Sequence, residues 1–338
     1  MVHFNYKINE RIDYVLYIIL AIILVILIAI CAYAGSFFIN AALFKNSTWY
    51  VNKGHKMLNP DNFNKEHTIY TDIEDKQNEV GHQFWENELT SEITAEFKNE
   101  TVIAREFMKH PESNKWILAV HGYRSSGKRD MNFPTLKFSE AGFNVLVPDL
   151  RAHGKSTGEE IGMGWLEKED VKFWIDQLLS KHPNAEIILF GGSMGAATIM
   201  MASGDKLPSQ VKLLIADCGY SSVYGEFSDM LKSALKLPPT PILFFADLFC
   251  KKRMGFSLKD ASCVNQLAKN ERPILFIHGT KDKFVPNEAM AVNLAATKGV
   301  SDSLLIENAP HLSSWIYEED NYFNKVFDFI DTHLEEGN

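Results

Sequence analysis

The segment Ala185–Ser203, AEIILFGGSMGAATIMMAS, constrains the fold more than any other part of the chain. Ile187–Phe190 is a short apolar run that reads as a buried strand, and Ala196–Ala202 reads as a packed helix. Gly191-Gly192-Ser193-Met194-Gly195 joins them. So tight a turn drives its central residue into a strained backbone conformation and leaves the Ser193 side chain standing clear. Gly191 and Gly195 lack a Cβ, which lets strand, turn and helix close on one another. The Met194 N–H then lies at a helix N-terminus, where unpaired donors and the helix dipole favour an anion. The string G-x-S-x-G is common by chance, so its meaning rests on what surrounds it.

What surrounds it is an alternation of strands and helices. Glu92–Lys98 and Thr101–Met108 each alternate polar and apolar residues, with Asn99-Glu100 between them, as an antiparallel hairpin would. Trp116–His121, Phe143–Pro148, Val211–Ala216, Pro273–Ile277 and Ser303–Ile306 read as further strands. Helical spacing marks Gly164–Lys181, Asn287–Lys298 and Trp315–Leu334. This order implies an α/β fold with a mostly parallel, doubly wound sheet and an antiparallel amino-terminal edge. Tyr220–Asn270 interrupts it with bulky apolar residues, three prolines and Lys251-Lys252-Arg253, so residues 221–268 are expected to form a helical cap bounding an apolar pocket. Residues 88–338 thus make the main domain, and 46–87, polar and without strong period, a connector with some helix.

Residues 1–45 are a different material. No charged residue lies between Asp13 and Lys45, and Tyr14–Ile30 is almost wholly Leu, Ile, Val, Ala and Tyr. That length suffices to cross a bilayer, which takes about 20 residues. A cleaved signal peptide is the rival, since Ala32-Tyr33-Ala34 has the small-x-small form of a cleavage site. The run exceeds the usual apolar region of a signal peptide, about 7–15 residues, which favours an uncleaved anchor. Basic residues on the two sides nearly balance; a short cytoplasmic tail would put the main domain on the extracytoplasmic side.

A serine hydroxyl needs a base to take its proton and a third group to orient that base. The strand PILFIHG runs into a loop carrying Asp282, and the last strand runs into a loop carrying His311. Ser193, Asp282 and His311 therefore fall beyond three strand ends, in the order acid-after-nucleophile, histidine last. The oxyanion formed on attack needs two preorganised donors: the Met194 N–H and the Tyr123 N–H, just past His121-Gly122. His121 and His278 read as loop-orienting residues.

Other chemistries fit poorly. The net charge of −9 argues against a nucleic-acid partner. Four cysteines, one inside the apolar run, make neither a disulfide framework nor a zinc site. Gly122-x4-Gly127-Lys128 imitates a phosphate-binding loop, but Arg129 stands where a Ser or Thr should ligate magnesium. No H-E-x-x-H or paired histidine spacing points to a catalytic metal, so neither metal nor cofactor is expected.

From about Glu92 onward the chain resembles the α/β-hydrolase family, and most nearly its membrane-anchored BEM46-like serine hydrolases. The resemblance rests on HGYRSSGK, DLRAHGKS, GGSMG, DCGYSS, HGTKDKFVP and APHLSSW. It implies Ser193 as nucleophile, His311 as base, Asp282 as orienting acid, and Tyr123 and Met194 as oxyanion donors. Two positions depart from the family pattern: Ala152, where glycine is usual, and Ala309-Pro310 before the histidine, which bears on the reach of His311 to Ser193. The expected activity is hydrolysis of a small-molecule or lipid-like carboxylic ester through an acyl-serine intermediate. A peptidase or amidase of the same fold, or a non-catalytic module tethered to a membrane, are the alternatives.

Overall fold

A computed structural model describes residues 2–48, 51–52, 69–233 and 235–335. Its centre is an eight-stranded sheet in the order β1-β2-β4-β3-β5-β6-β7-β8. The strands are β1 Ser91–Phe97, β2 Glu100–Phe107, β3 Lys115–Val120 and β4 Asn144–Asp149, then β5 Glu186–Gly192, β6 Val211–Asp217, β7 Ile274–Gly279 and β8 Ser301–Ile306. β1 and β2 pair antiparallel, as do β2 and β4, and every later pair is parallel. This is the α/β-hydrolase fold with the antiparallel edge the amino-terminal hairpin predicts. The hairpin turn itself is Lys98-Asn99, one residue earlier than the spacing suggests. Both residues take positive φ, 51° and 65°, as a two-residue turn matched to strand twist requires.

β3, β4 and β5 are buried along nearly their whole length, which is why they read as unbroken apolar runs rather than alternations. Helices cover both faces. On one lie α4 Glu167–Lys181 and α5 Met194–Ser203; on the other lie α2 Ile69–Glu88, α3 Gly127–Glu140 and the closing pair α10 Ser314–Tyr317 and α11 Glu319–Glu335. The sequence pattern has one closing helix there; Glu318 breaks it in two, with extended φ/ψ of −141° and 67°. α3 was not legible because Pro134 sits inside it. Of the stretch expected to be a connector, 49–50 and 53–68 lie outside the described residues, whereas α2 packs on α3 with Phe84 and Trp85 buried.

The chain after β6 forms α6 Val223–Ser233, α7 Pro239–Met254 and the short α8 Cys263–Leu267, before α9 Glu288–Ala296 completes the second half of the sheet's cover. The amino-terminal helix α1, Val2–Leu43, is one unbroken element. Tyr14–Leu43 is long and apolar enough to cross a membrane, and Tyr14–Ile30 is exposed throughout, while Phe38, Ile39, Ala41, Ala42 and Leu43 are buried in the main core. α7 lies against this buried end. A side chain at Gly35 would collide with the backbone of Ala246 at 2.7 Å, so the two helices touch at a glycine.

Candidate active site

β3 is where the chain reverses direction across the sheet: β4 lies to one side of it and β5 to the other. Open α/β sheets hold their ligands outside the strand ends at such a point. Here the loops leaving β3 and β5 carry Tyr123 and Ser193. Ser193 has φ 55° and ψ −120°, a conformation non-glycine residues avoid. The turn is held from all sides. A Cβ on Gly191 would lie 2.5 Å from the carbonyl group of Gly195, and a Cβ on Gly195 only 2.0 Å from the Val120 carbonyl oxygen. The Ser193 N–H donates to the Asp217 carbonyl at 2.9 Å, tying the elbow to the end of β6.

The three side chains expected to converge do so. His311 Nε2 lies 2.8 Å from Ser193 Oγ, and His311 Nδ1 lies 2.6 Å from Asp282 Oδ2. The Ala309-Pro310 departure therefore leaves the histidine within reach. All three residues are buried, with Asp282 at 8 % exposure. With a carboxylate at Nδ1 the proton belongs there, which leaves Nε2 as the acceptor for the serine hydroxyl. Asp282 Oδ1 takes the N–H groups of Phe284 and Val285 at 2.8 and 2.9 Å. Burial works against its ionisation, but His311 and then His278 outweigh that and hold the carboxyl below the usual carboxylate range.

His278 stands behind the acid. Its Nε2 lies 3.0 Å from the Val285 carbonyl and 3.2 Å from Asp282 Oδ2, a shared N–H that fixes the Asp282 loop. Burial pulls its pKa down, yet the Asp282 carboxylate raises it on balance. Asp217, at the end of β6, accepts from the Tyr322 hydroxyl at 3.0 Å, and burial pushes its carboxyl up to about 6. Cys218 follows it, buried, with φ 47°. Its Sγ, one Asp282 oxygen and one His311 nitrogen lie within 4.8 Å of one another. Burial pushes the thiol pKa well up, and the other two groups are already bonded to each other, so the trio is occupied by its own pairing.

The loop after β3 is braced by groups the sequence does not advertise. Gly122 lies against the elbow: a Cβ there would be 3.4 Å from Ser193 Cβ. The Gly122 N–H donates to Asp130 Oδ2 at 2.8 Å, and the Ser125 hydroxyl donates to Asp130 Oδ1. His121 Nε2 accepts from the Leu150 N–H at 3.1 Å, which leaves its Nδ1–H to donate to the Gly122 carbonyl at 2.8 Å. His153 works the same way: Nε2 accepts from the Arg124 N–H and Nδ1 donates to the Arg151 carbonyl. Burial brings its pKa down to about 3, so it stays a neutral brace. Ala152, beside it, has φ 59°, which is the physical reason a glycine suits that position. Met194 opens α5 and so has no carbonyl inside its helix to receive its N–H.

The same loop grips the end of α1. The Tyr123 hydroxyl donates to the Ala42 carbonyl at 2.6 Å. The Arg124 guanidinium donates to the carbonyls of Ala41, Phe44 and Lys45 at 3.1, 2.8 and 3.0 Å. A cation at a helix C-terminus meets the negative end of the dipole and fills orphan acceptors. Arg124→Ala is therefore expected to cost about 2 kcal/mol, near 5 °C in Tm, and to lower kcat/KM about tenfold through the attached Tyr123. Melting curves and ester kinetics on the full-length variant measure both; an unchanged kcat/KM would separate the helix end from the site.

Glu226, on α6, is buried at 6 % exposure, and burial, reinforced by the Asp282 charge, pushes its carboxyl up to about 8. A carboxyl raised above its unfolded value favours folding fully below about 4.5 and loses that contribution as pH rises through 8. Glu226→Gln removes the group from this balance. The Tm difference between variant and native chain should therefore widen in the variant's favour between pH 5 and pH 9; a constant difference would contradict the burial.

A family model described as Serine aminopeptidase, S33, matches residues 111–240. YqkD of Bacillus subtilis is 29% identical over 216 residues, 64% of this chain and 70% of that protein. The bem46 protein of Schizosaccharomyces pombe is 25% identical over 186 residues, 54% of this chain and 56% of its own. Among solved structures, the Pyrococcus furiosus esterase Pf2001 superposes with TM-score 0.56 at 21% identity, covering 72% of this chain and 90% of that one. Sheet order, elbow and strand-end loops define the α/β-hydrolase fold. Within that fold the chain is similar to the BEM46-like proteins.

Proposed function

We propose that the chain is a serine hydrolase that cleaves carboxylic esters through an acyl-Ser193 intermediate. The observation that carries this is the hydrogen-bonded line from Asp282 through His311 to the hydroxyl of a strained elbow serine. Ser193 Oγ attacks the ester carbonyl carbon while its proton passes to His311 Nε2. Asp282 steadies the imidazolium, and the N–H groups of Met194 and Tyr123 receive the oxyanion. Collapse expels the alcohol, which takes the proton from His311. Water, deprotonated by His311, then attacks the acyl carbonyl, and the carboxylic acid leaves with Ser193 restored. A fluorophosphonate probe should label Ser193, and the purified chain should turn over a short p-nitrophenyl ester. Absence of both would refute the reading.

The esterase likeness supports an ester as substrate, whereas the aminopeptidase description supports an amide, which the same groups would attack. Comparing p-nitrophenyl esters with aminoacyl-anilides decides between them. We also read α1 as an uncleaved anchor with the main domain extracytoplasmic. The unbroken helix through Ala32-Tyr33-Ala34 and the burial of the turns beyond support the anchor. Retention in carbonate-washed membranes is expected, and protease protection in oriented vesicles reports the side.

A further inference from the structure

Between the end of α1 and the cap lies an apolar cavity of about 210 Å³, larger than the ~150 Å³ cavity that takes benzene in an engineered protein core. Ala34, Phe37, Phe38, Met230, Leu231 and Ile242 are among the residues that line it. Two sets of residues say what medium it meets. On the α1 side, Phe37 is 42% exposed and continues the bare apolar belt of Tyr14–Ile30. On the cap side, α7, packed against α1 at Gly35, turns Phe244 and Leu248 outward at 62% and 54% exposure. Large apolar side chains exposed side by side on two packed helices mark a surface that meets lipid. The basic end of α7 suggests the depth: Lys251, Lys252 and Arg253 are exposed, and Arg253 donates to Ser36 Oγ at 3.1 Å, next in sequence to the lining residue Phe37. Cations at such a level suit the headgroup region.

The cavity is linked to the candidate site through one residue. Ala42 lines it, and the Ala42 carbonyl is held by the hydroxyl of Tyr123, whose backbone follows Gly122 against Ser193. We infer that this cavity receives the acyl chain of a lipid-borne ester drawn sideways from the bilayer, so that α1 is one wall of the substrate site. The inference rests on the ester-hydrolase reading and names its substrate class: long-chain acyl esters of a membrane lipid.

The test uses the full-length chain in vesicles of ether-linked phosphatidylcholine, which carry no competing carboxylic ester. The kcat/KM values for p-nitrophenyl palmitate and butyrate are taken as a ratio, in the native chain and in Met230→Trp and Leu235→Trp, two partly buried cap positions on the cavity. The ratio cancels any loss common to both esters. Each buried methylene is worth roughly fourfold, so an indole displacing two or more should lower the ratio about tenfold. A ratio that stays above one third of the native value in both variants overturns the inference, including the case of a resident lipid that merely fills the space. If the native chain hydrolyses neither ester and Ser193 resists fluorophosphonate, the ester-hydrolase reading fails and takes this inference with it. Labelling and butyrate turnover with an unchanged ratio sink the acyl site alone.

Discussion

Ser193→Ala is expected to lower kcat for a short ester by about 10⁴-fold or more, and His311→Ala by a comparable factor. The reason lies in how the groups are joined. His311 Nε2 has the serine hydroxyl as its partner at 2.8 Å, so removing the hydroxyl leaves the base with nothing to activate except water. Removing the imidazole leaves an alcohol whose proton has nowhere to go. Because the residues act as one unit, the double variant should be scarcely worse than either single one. The elbow is rigid around this position, and a serine hydroxyl contributes no packing volume that alanine lacks, so the melting temperature should stay within a few degrees. A Ser193→Ala chain that retained a tenth of its activity would refute the assignment.

Gly195→Ala should be the most damaging small substitution. The added Cβ would stand 2.0 Å from the Val120 carbonyl oxygen and 2.7 Å from its carbon. Those are backbone atoms of β3, a central strand, and cannot swing aside. Either α5 retreats or the β3 loop does, and both carry groups of the site. Overpacking of this kind costs about 1–3 kcal/mol, occasionally more, which here is a fall of about 3–8 °C in Tm. Activity should drop by at least about 10²-fold even in the folded fraction, since a shift near 1 Å separates nucleophile from base. Native-like kinetics in a folded Gly195→Ala chain would show that helix and strand are not locked together there.

The parts of the fold legible from sequence are those in which one local pattern decides the structure. Buried strands announce themselves as apolar runs, and the elbow as glycines at fixed offsets. The hairpin is set by alternation, with only its turn displaced. The closeness of Ser193, Asp282 and His311 was foreseeable because parallel strands bring their carboxyl ends to one edge, so three loops in order must meet. The supports were not foreseeable, since their meaning lies in partners far along the chain. Asp130 is an ordinary acid in a first helical turn until the Gly122 N–H is seen on it. His153 stands in a polar stretch of the sequence, yet it is buried between the Arg124 amide and the Arg151 carbonyl. Asp217 did offer a signal, an acid closing an otherwise apolar strand, and such residues merit suspicion wherever strands end at a site. α3 was hidden by Pro134, whose cost to the helix is outweighed by burial of Met131, Phe133 and Phe138 on the sheet.

The grip of Tyr123 and Arg124 on the last turn of α1 makes the leading helix an organ of the enzyme rather than a leash. A chain cut after residue 43 to gain solubility would take the Ala41 carbonyl from Arg124 and the Ala42 carbonyl from Tyr123, and bare Phe227, Leu231 and Ile242 to water. Such a fragment would misreport both speed and preference. Docking of this helix end and the set of the Tyr123 loop are, in this architecture, a single event.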